Sequence, residues 1–275
     1  MKKERLDLLL VEQGHFSSRE RAKATIMAGK VLVNEMKIEK AGTMVPADGT
    51  IRILGEIHPF VSRGGLKLQK GLAEFNILLD GLVMADIGAS TGGFSDCALQ
   101  AGARKVYAID VGYGQLDWKI RQDSRVVVWE RTNIRNVTKE SFGDPIDFVG
   151  IDVSFISLSL VLPVVKEFLD SAGKVICLIK PQFEAGKERV GKNGVVRDPK
   201  VHQAVLAEVL RKIVEIGFSI QGLSFSPIRG PEGNIEFLAY LDLSGISSVS
   251  LEDQVIQNLV EKAHGNFEKE KVGES

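Results

Sequence analysis

From Leu82 onward the chain repeats one pattern, and that pattern leaves few folds open to it. Short, almost wholly apolar runs alternate with amphipathic stretches. Strands are expected over residues 83–87, 105–109, 125–130, 148–152 and 174–179, with helices near 94–101, 115–122, 158–169 and 199–216. A strand apolar on both faces must be covered on both faces, and strand–helix–strand units bring successive strands together in parallel. The end breaks the rhythm: segments 218–226 and 236–241 read as two strands joined by a short Gly/Pro loop, an antiparallel hairpin at the sheet edge. The expected fold is therefore α/β, a doubly wound, mostly parallel sheet of seven strands. A last helix near 251–263 precedes a charged tail expected to be disordered.

The first 58 residues read differently. Leu6, Leu9, Leu10 and Val11 share one helical face, with Gly14 placed to end that helix. Ser17 or Ser18 can cap a second helix, and Glu20 completes a capping box with Ser17. Two strands follow, near 31–33 and 50–54, with turn-rich sequence between them. The chain thus divides into a small α+β domain (1–58), a linker and lead-in helix (59–81), the sheet domain (82–245) and a C-terminal helix with tail (246–275). Charge follows the same division. Residues 1–70 carry a net charge of +5 and the remainder −6, which places a polyanion-binding surface at the N-terminal end.

Other classes are disfavoured. Two cysteines, Cys97 and Cys177, cannot make a disulfide framework and suit a reducing cytoplasm. With four histidines and no Cys cluster, no metal site is expected. Asp7 and Glu12 interrupt the N-terminal apolar run, so it does not read as a signal peptide, and no stretch is long and apolar enough to span a bilayer.

The sharpest motif is Asp86-Ile87-Gly88-Ala89-Ser90-Thr91-Gly92-Gly93-Phe94, between a strand and a helix. Glycines there permit a tight turn and close approach of backbone to a ligand, and the helix N-terminus favours polar or negative ligand groups. Neither the phosphate-loop Gly-Lys-Ser/Thr nor the dinucleotide spacing G-x-G-x-x-G is present. The loop suits S-adenosylmethionine better, with Asp86 placed to hold a ligand amine. Asp110, ending the second strand with Val111 beside it, occupies the position that meets a ribose diol in doubly wound folds. Asn133, after the third strand, is placed to approach the adenine, or is an ordinary turn residue. Asp152-Val153-Ser154-Phe155 and Lys180-Pro181-Gln182-Phe183-Glu184 leave the carboxyl ends of the fourth and fifth strands, where ligands bind in such sheets.

Taken together, these motifs and Gly233-Asn234-Ile235-Glu236-Phe237 resemble the TlyA (haemolysin A) family of FtsJ-like methyltransferases, in one order over about residues 5–242. The resemblance implies an S-adenosylmethionine-dependent enzyme that methylates ribose 2'-hydroxyls of ribosomal RNA, with cytidine the expected nucleoside, RNA or ribosomal subunits the partner, no membrane and no metal. Its Lys-Asp-Lys-Glu tetrad falls on Lys67 (in Ser62-Arg63-Gly64-Gly65-Leu66-Lys67-Leu68), Asp152, Lys180 and Glu236. One departure is Thr91, where FtsJ relatives carry proline. Residues 5–34 are similar to the αL-type RNA-binding domain of a ribosomal protein and of pseudouridine synthases, which implies RNA contacts at Arg5, Arg19, Arg21, Lys23 and Lys30, with Arg63 near the substrate. The rival readings are an RNA-binding assembly factor without catalysis, a methyltransferase of small molecules or protein, and a pore-former.

Overall fold

The computed structural model describes residues 3–16, 18–54 and 58–273. The chain forms two compact units that divide after Pro59.

The first unit has two helices, α1 (Leu6–Glu12) and α2 (Arg19–Met27). It has five short strands: β1 (Lys3–Arg5), β2 (Val31–Val33), β3 (Met36–Ile38), β4 (Met44–Pro46) and β5 (Ile51–Ile53). The pair β1–β4 is antiparallel, and β2 lies between β3 and β5, antiparallel to both. Only β2 and β5 are expected from the sequence pattern. The segment between them, expected as turns, holds two further strands. The β2–β3 turn is Asn34-Glu35, both residues left-handed at φ 50° and 62°, and a glutamate there hides a hairpin usually signalled by Asn-Gly. Asn34 secures the turn by accepting from Thr50 N at 2.8 Å. Leu6, Leu10, Ile26 and Val31 are fully buried at its centre. Ser17, one of the two candidate caps, lies outside the described residues.

The second unit begins with α3 (Gly64–Glu74), which starts at the glycine pair rather than after it. The sheet strands are β6 (Val83–Ile87), β7 (Lys105–Ile109), β8 (Val126–Trp129), β9 (Ile146–Ile151), β10 (Leu169–Ile179), β11 (Ser219–Phe225) and β12 (Phe237–Asp242). Between them come α4 (Gly93–Gln100), α5 (Trp118–Arg121), α6 (Leu158–Phe168), α7 (Pro181–Glu184) and α8 (Pro199–Ile216); α9 (Asp253–Gly273) follows. The order across the sheet is β11-β12-β10-β9-β6-β7-β8. Strands β8, β7, β6, β9 and β10 are parallel, and β12 is antiparallel to both β10 and β11. This is the seven-stranded, mostly parallel sheet that the alternation requires.

Chain order reverses between β6 and β9: the chain runs outward through β7 and β8, then returns to pair β9 with β6. A crevice opens at the carboxyl ends of strands at such a switch point. All five residues of β6 are buried, as a strand covered on both faces must be. One face packs on α6, α8 and α9, the other on α3 and α4. Helix ends follow local chemistry. Asp198 caps α8 by accepting from Lys200 N at 2.8 Å, Pro199 occupies its first turn, and Gly217 ends it at φ 102°.

Two expectations require correction. The helix expected over 115–122 is only the single turn α5, because Gly114 is left-handed at φ 69° and Asp117 caps the chain anew. The charged tail is not disordered after Ala263: α9 continues to Gly273. Phe267, only 1% exposed, anchors this added length in the core, and the Glu/Lys run around it has high helix propensity.

Candidate active site

The turn after β6 can be built only with glycine at key points. Gly88 has φ 83°, and a Cβ there would lie 2.6 Å from the Asp152 carbonyl oxygen. A Cβ on Gly93 would lie 2.3 Å from Ser62 Oγ. The segments after β6 and β9 and before α3 therefore close on one another where no Cβ on Gly88 or Gly93 holds them apart. Ser90 is left-handed at φ 48° and Gly92 at φ 91°. A cleft of about 280 Å³ opens above, lined on this side by Gly88, Ala89, Ser90, Thr91, Gly93 and Phe94. Gly92 faces away, packed toward Leu116 and Ile120.

Asp86 is fully buried beneath this loop and does not line the cleft. Its Oδ2 accepts from Ser95 N at 2.9 Å and Ser95 Oγ at 2.6 Å, while Oδ1 is buried with no hydrogen-bond partner. Burial pushes its pKa up to about 7, against the two bonds from Ser95 and with help from the charges of Asp152 and Asp110. A buried acid with one unsatisfied oxygen below a ligand-accommodating loop favours a cationic ligand.

The four charged residues expected to act together do converge on this cleft. Lys67 comes from the first turns of α3, Asp152 follows β9, Lys180 follows β10, and Glu236 precedes β12. Lys180 Nζ lies 2.5 Å from Asp152 Oδ1, Lys67 Nζ lies 3.4 Å from Asp152 Oδ2, and Lys67 Nζ lies 2.5 Å from Glu236 Oε2. The result is one chain of alternating charge, Lys180–Asp152–Lys67–Glu236, neutral in sum. Lys180 also donates to Ser154 Oγ at 3.2 Å. Burial disfavours the Lys67 ammonium, but Asp152 and Glu236 outweigh it and raise the lysine's pKa. Burial would likewise raise Asp152, and the two ammoniums hold it below the usual carboxylate range. Glu236 is the most enclosed, its side chain 1% exposed; Asp152 is the most open, at 17%.

Beside the cleft, sharing Ala89 and Ser90 with it, is a second, smaller hollow lined by Asp110, Gly112, Leu116, Val128 and Glu130. Asp110 uses both oxygens to tie its walls together, Oδ2 accepting from Ser90 N at 2.8 Å and Oδ1 from Gly112 N at 2.7 Å. Val111 is exposed on its flank. Asn133 lines neither cavity: its Oδ1 accepts from Arg135 N at 3.1 Å and caps a 3-10 turn. The polar group from the β8 side is instead Glu130, one position beyond the strand.

Sequence reasoning did not single out Ser62 or the segment Ile228–Pro231, which also line the cleft. Phe155 stands out more. Its φ is 62° and it is 91% exposed, three residues after Asp152, with its ring 4.8 Å from that of Phe183. A bulky side chain held left-handed and in solvent is strained, and such strain gathers at functional sites. Arg63 lines the cleft and is exposed.

In the first unit, Arg5 and Arg19 converge on Asp7, which is fully buried. Arg5 donates to both its oxygens at 3.1 Å, and Arg19 Nε donates to Oδ2 at 2.8 Å. These bonds, Arg5 first, outweigh burial and lower the Asp7 pKa to about 2. Both arginines thus have a structural partner while keeping about two fifths of their side chains exposed. Lys30 is exposed and Lys23 partly so; Arg21 lies on α2, its side chain outside the described residues.

Among the described residues, no helix is long and apolar enough to cross a membrane, and no group of three or more His, Cys, Asp or Glu is placed to hold a metal ion. Comparison with known proteins gives a consistent result. The family model "FtsJ-like methyltransferase" matches residues 60–243, and the S4 domain model matches residues 4–51. A Bacillus subtilis protein named "Putative rRNA methyltransferase YqxC" is 51% identical over 98% of each chain. The "16S/23S rRNA (cytidine-2'-O)-methyltransferase TlyA" of Mycobacterium tuberculosis is 41% identical over 91% of this chain and 95% of its own. A solved structure described as "Putative hemolysin from Streptococcus thermophilus" is 46% identical and superposes with a TM-score of 0.77, over 98% of this chain and 99% of that one.

Proposed function

The chain belongs to the FtsJ-like methyltransferase family, and from that premise we propose that it methylates the ribose 2'-hydroxyl of a cytidine in ribosomal RNA, with S-adenosylmethionine as donor. One observation supports this most: the four charged residues Lys67, Asp152, Lys180 and Glu236 share one cleft with the glycine loop. The names borne by relatives support the choice of RNA and of cytidine.

The residues fit the donor. Gly88 and Gly93 let the backbone segments around the loop close up into a floor on which a ligand's methionine moiety would rest, Asp110 lines the hollow that would take its ribose diol, and Asp86 with its unpaired Oδ1 favours positive charge overhead. When bound, S-adenosylmethionine supplies a methyl group made electrophilic by the adjoining sulfonium. The protein's part is to hold a ribose hydroxyl in line and to manage its proton. Lys180 and Asp152 form the polar face against which that hydroxyl is oriented, and Lys67 and Glu236 fix Asp152 from behind. Because the network is neutral and fully paired before substrate arrives, little reorganisation is required during reaction, and much of the acceleration comes from positioning. Phe155 offers an exposed ring at the same strand end, where an unstacked base can rest.

The S4 domain supports docking on RNA through phosphate contacts, which makes binding salt-dependent. Lys30 and the outer donors of Arg5 and Arg19 are the groups available for it, with Arg21, Lys23 and Arg63 as further candidates. A ribosomal RNA substrate supports a cytoplasmic location for the reaction. The test is incubation of purified protein with labelled donor and unmodified ribosomal subunits or rRNA, followed by nucleoside mapping. A 2'-O-methylated cytidine, absent with Lys180→Met although RNA still binds, is expected. Methyl transfer to a base, or undiminished transfer by the variant, would overturn the assignment.

A further inference from the structure

The FtsJ-like match ends at residue 243, yet α9, which lies beyond it, is bound into the wall of the cleft. That wall is the loop between β11 and β12, which presents Ile228, Arg229, Gly230 and Pro231. The loop presses directly on the charged network, since a Cβ on Gly230 would lie 2.7 Å from Glu236 Oε1. Three attachments hold it. Ser226 donates from Oγ to the Ile228 carbonyl at 2.6 Å. Asn234, fully buried, accepts from Val196 N at 2.9 Å and donates to the Gly194 carbonyl at 3.0 Å. The third attachment comes from α9. The Arg229 guanidinium lies 4.9 Å over the ring of Phe267, and its Nη2 donates to the Phe267 carbonyl at 3.4 Å. Helix α9 is in turn tied to α8 by a 2.9 Å hydrogen bond between His264 and His202.

Arg229 holds the loop to Phe267, but that contact does not neutralise its charge. It forms no ion pair with a carboxylate among the described residues, and most of its five N–H donors remain available. Both lysines of the network, by contrast, are already neutralised by Asp152 and Glu236. Among the described residues, the cleft-wall cations with no carboxylate partner are therefore Arg229 and Arg63. A guanidinium held over a buried ring is restrained before any ligand arrives, which suits bidentate capture of a phosphate.

Resting on the RNA-methylation reading above, we propose that Arg229 binds a backbone phosphate of the RNA strand whose ribose enters the cleft, and that Phe267 is a positioning residue that holds its guanidinium there. Helix α9 is on this account a component of the active site. A ribose brought to Asp152 and Lys180 carries its flanking phosphates with it, and the β11–β12 loop is the wall beside Glu236 that they pass.

The test uses the full chain with Arg229→Gln, Arg229→Lys, Phe267→Leu and the Gln/Leu double variant. RNA binding is measured against salt without methyl donor, donor binding by calorimetry, and KM and kcat for RNA by methyl transfer. Arg229→Gln should raise the RNA KM about tenfold, as the loss of a charged hydrogen bond does, and flatten the log–log salt slope of RNA binding by about 0.7–0.9. Donor affinity should stay within about twofold of wild type. Arg229→Lys should keep the salt slope but not the KM. Phe267→Leu should raise the RNA KM with kcat retained, and add nothing to Arg229→Gln. An unchanged slope in Arg229→Gln, weakened donor binding with RNA binding intact, or additive Phe267→Leu and Arg229→Gln effects would each overturn the inference. Absence of any methylated product with the wild-type protein would instead count against the methylation reading, and the binding slopes would still report on Arg229.

Discussion

The contact between Lys67 and Glu236 gives the sharpest test of how this site is built. Both side chains are almost wholly removed from water, at 8% and 1% exposure, with Nζ and Oε2 2.5 Å apart. Glu236→Met would leave the Lys67 ammonium with only Asp152, at 3.4 Å and already engaged by Lys180. Stranding one member of a buried pair costs about 3–5 kcal/mol. In a domain of this size each kcal/mol shifts Tm by about 2–4 °C, so the single variant should melt about 6–20 °C lower than wild type. Lys67→Met/Glu236→Met removes both charges and replaces them with chains of similar length. Replacing a buried pair with apolar groups is close to neutral, so the double variant should regain most of the lost Tm. Methyl transfer should be lost in both, because the network lacks its enclosed end in either variant, and in the double variant Asp152 also lacks its second ammonium. Thermal melts by circular dichroism, paired with a transfer assay, read the two effects separately. A double variant no more stable than Glu236→Met alone would refute the view that these charges form one desolvated unit.

Asp86 predicts a pH-dependent donor affinity. Its folded pKa lies near 7 rather than 3.8, so below neutrality the ligand-free protein holds a proton that a cationic ligand must displace. Donor binding by calorimetry should strengthen from pH 6 to pH 8, and Asp86→Asn should abolish that trend. The same shift makes Asp86 unfavourable for folding as pH rises from 3.8 through about 7, so ligand-free Asp86→Asn should melt above wild type at pH 8. His202 acts in the opposite range. Its folded pKa is lowered, mainly by burial, from 6.5 to about 4, so the unfolded chain gains a proton first and stability should fall as pH drops from 6.5 toward 4, by roughly 3 kcal/mol in all. His202→Phe should flatten that part of the acid denaturation curve. Gly88→Ala should abolish donor binding or destabilise the fold, since its Cβ would meet the Asp152 carbonyl at 2.6 Å; wild-type donor affinity in a well-folded Gly88→Ala protein would refute the account of the loop. Burial pushes the thiols of Cys97 and Cys177 up to about 12, so neither should react with an alkylating reagent in the native state.

What was legible in the chain, and what was not, follows from the range over which each interaction acts. A parallel strand buried on both faces carries few polar side chains, so the apolar runs at Phe148–Ile151 and Val175–Ile179 announce themselves in sequence. The strand ends announce themselves too, because Asp152 and Lys180 each interrupt such a run abruptly. That Lys67 meets Glu236 across 169 positions is another matter: periodicity carries no trace of it, and only the resemblance to a family suggested it. The same limit hid the β2–β3 hairpin, whose turn rests on a glutamate tolerating left-handed backbone while Asn34 reaches back to Thr50. It also hid the partner of Asp7, since nothing local distinguishes a surface aspartate on a helix from one buried under two arginines. Helix α9 is the instructive case. Its last turns look like solvated Glu/Lys tail, and one aromatic residue, Phe267, decides otherwise by packing into the core and receiving Arg229 over its face. One aromatic among charges is ambiguous until its cavity and its cation are known, and both are supplied by segments distant in the chain. If Phe267 were only a core residue, any apolar side chain of similar volume would serve there; the proposed pairing with Arg229 requires that leucine would not.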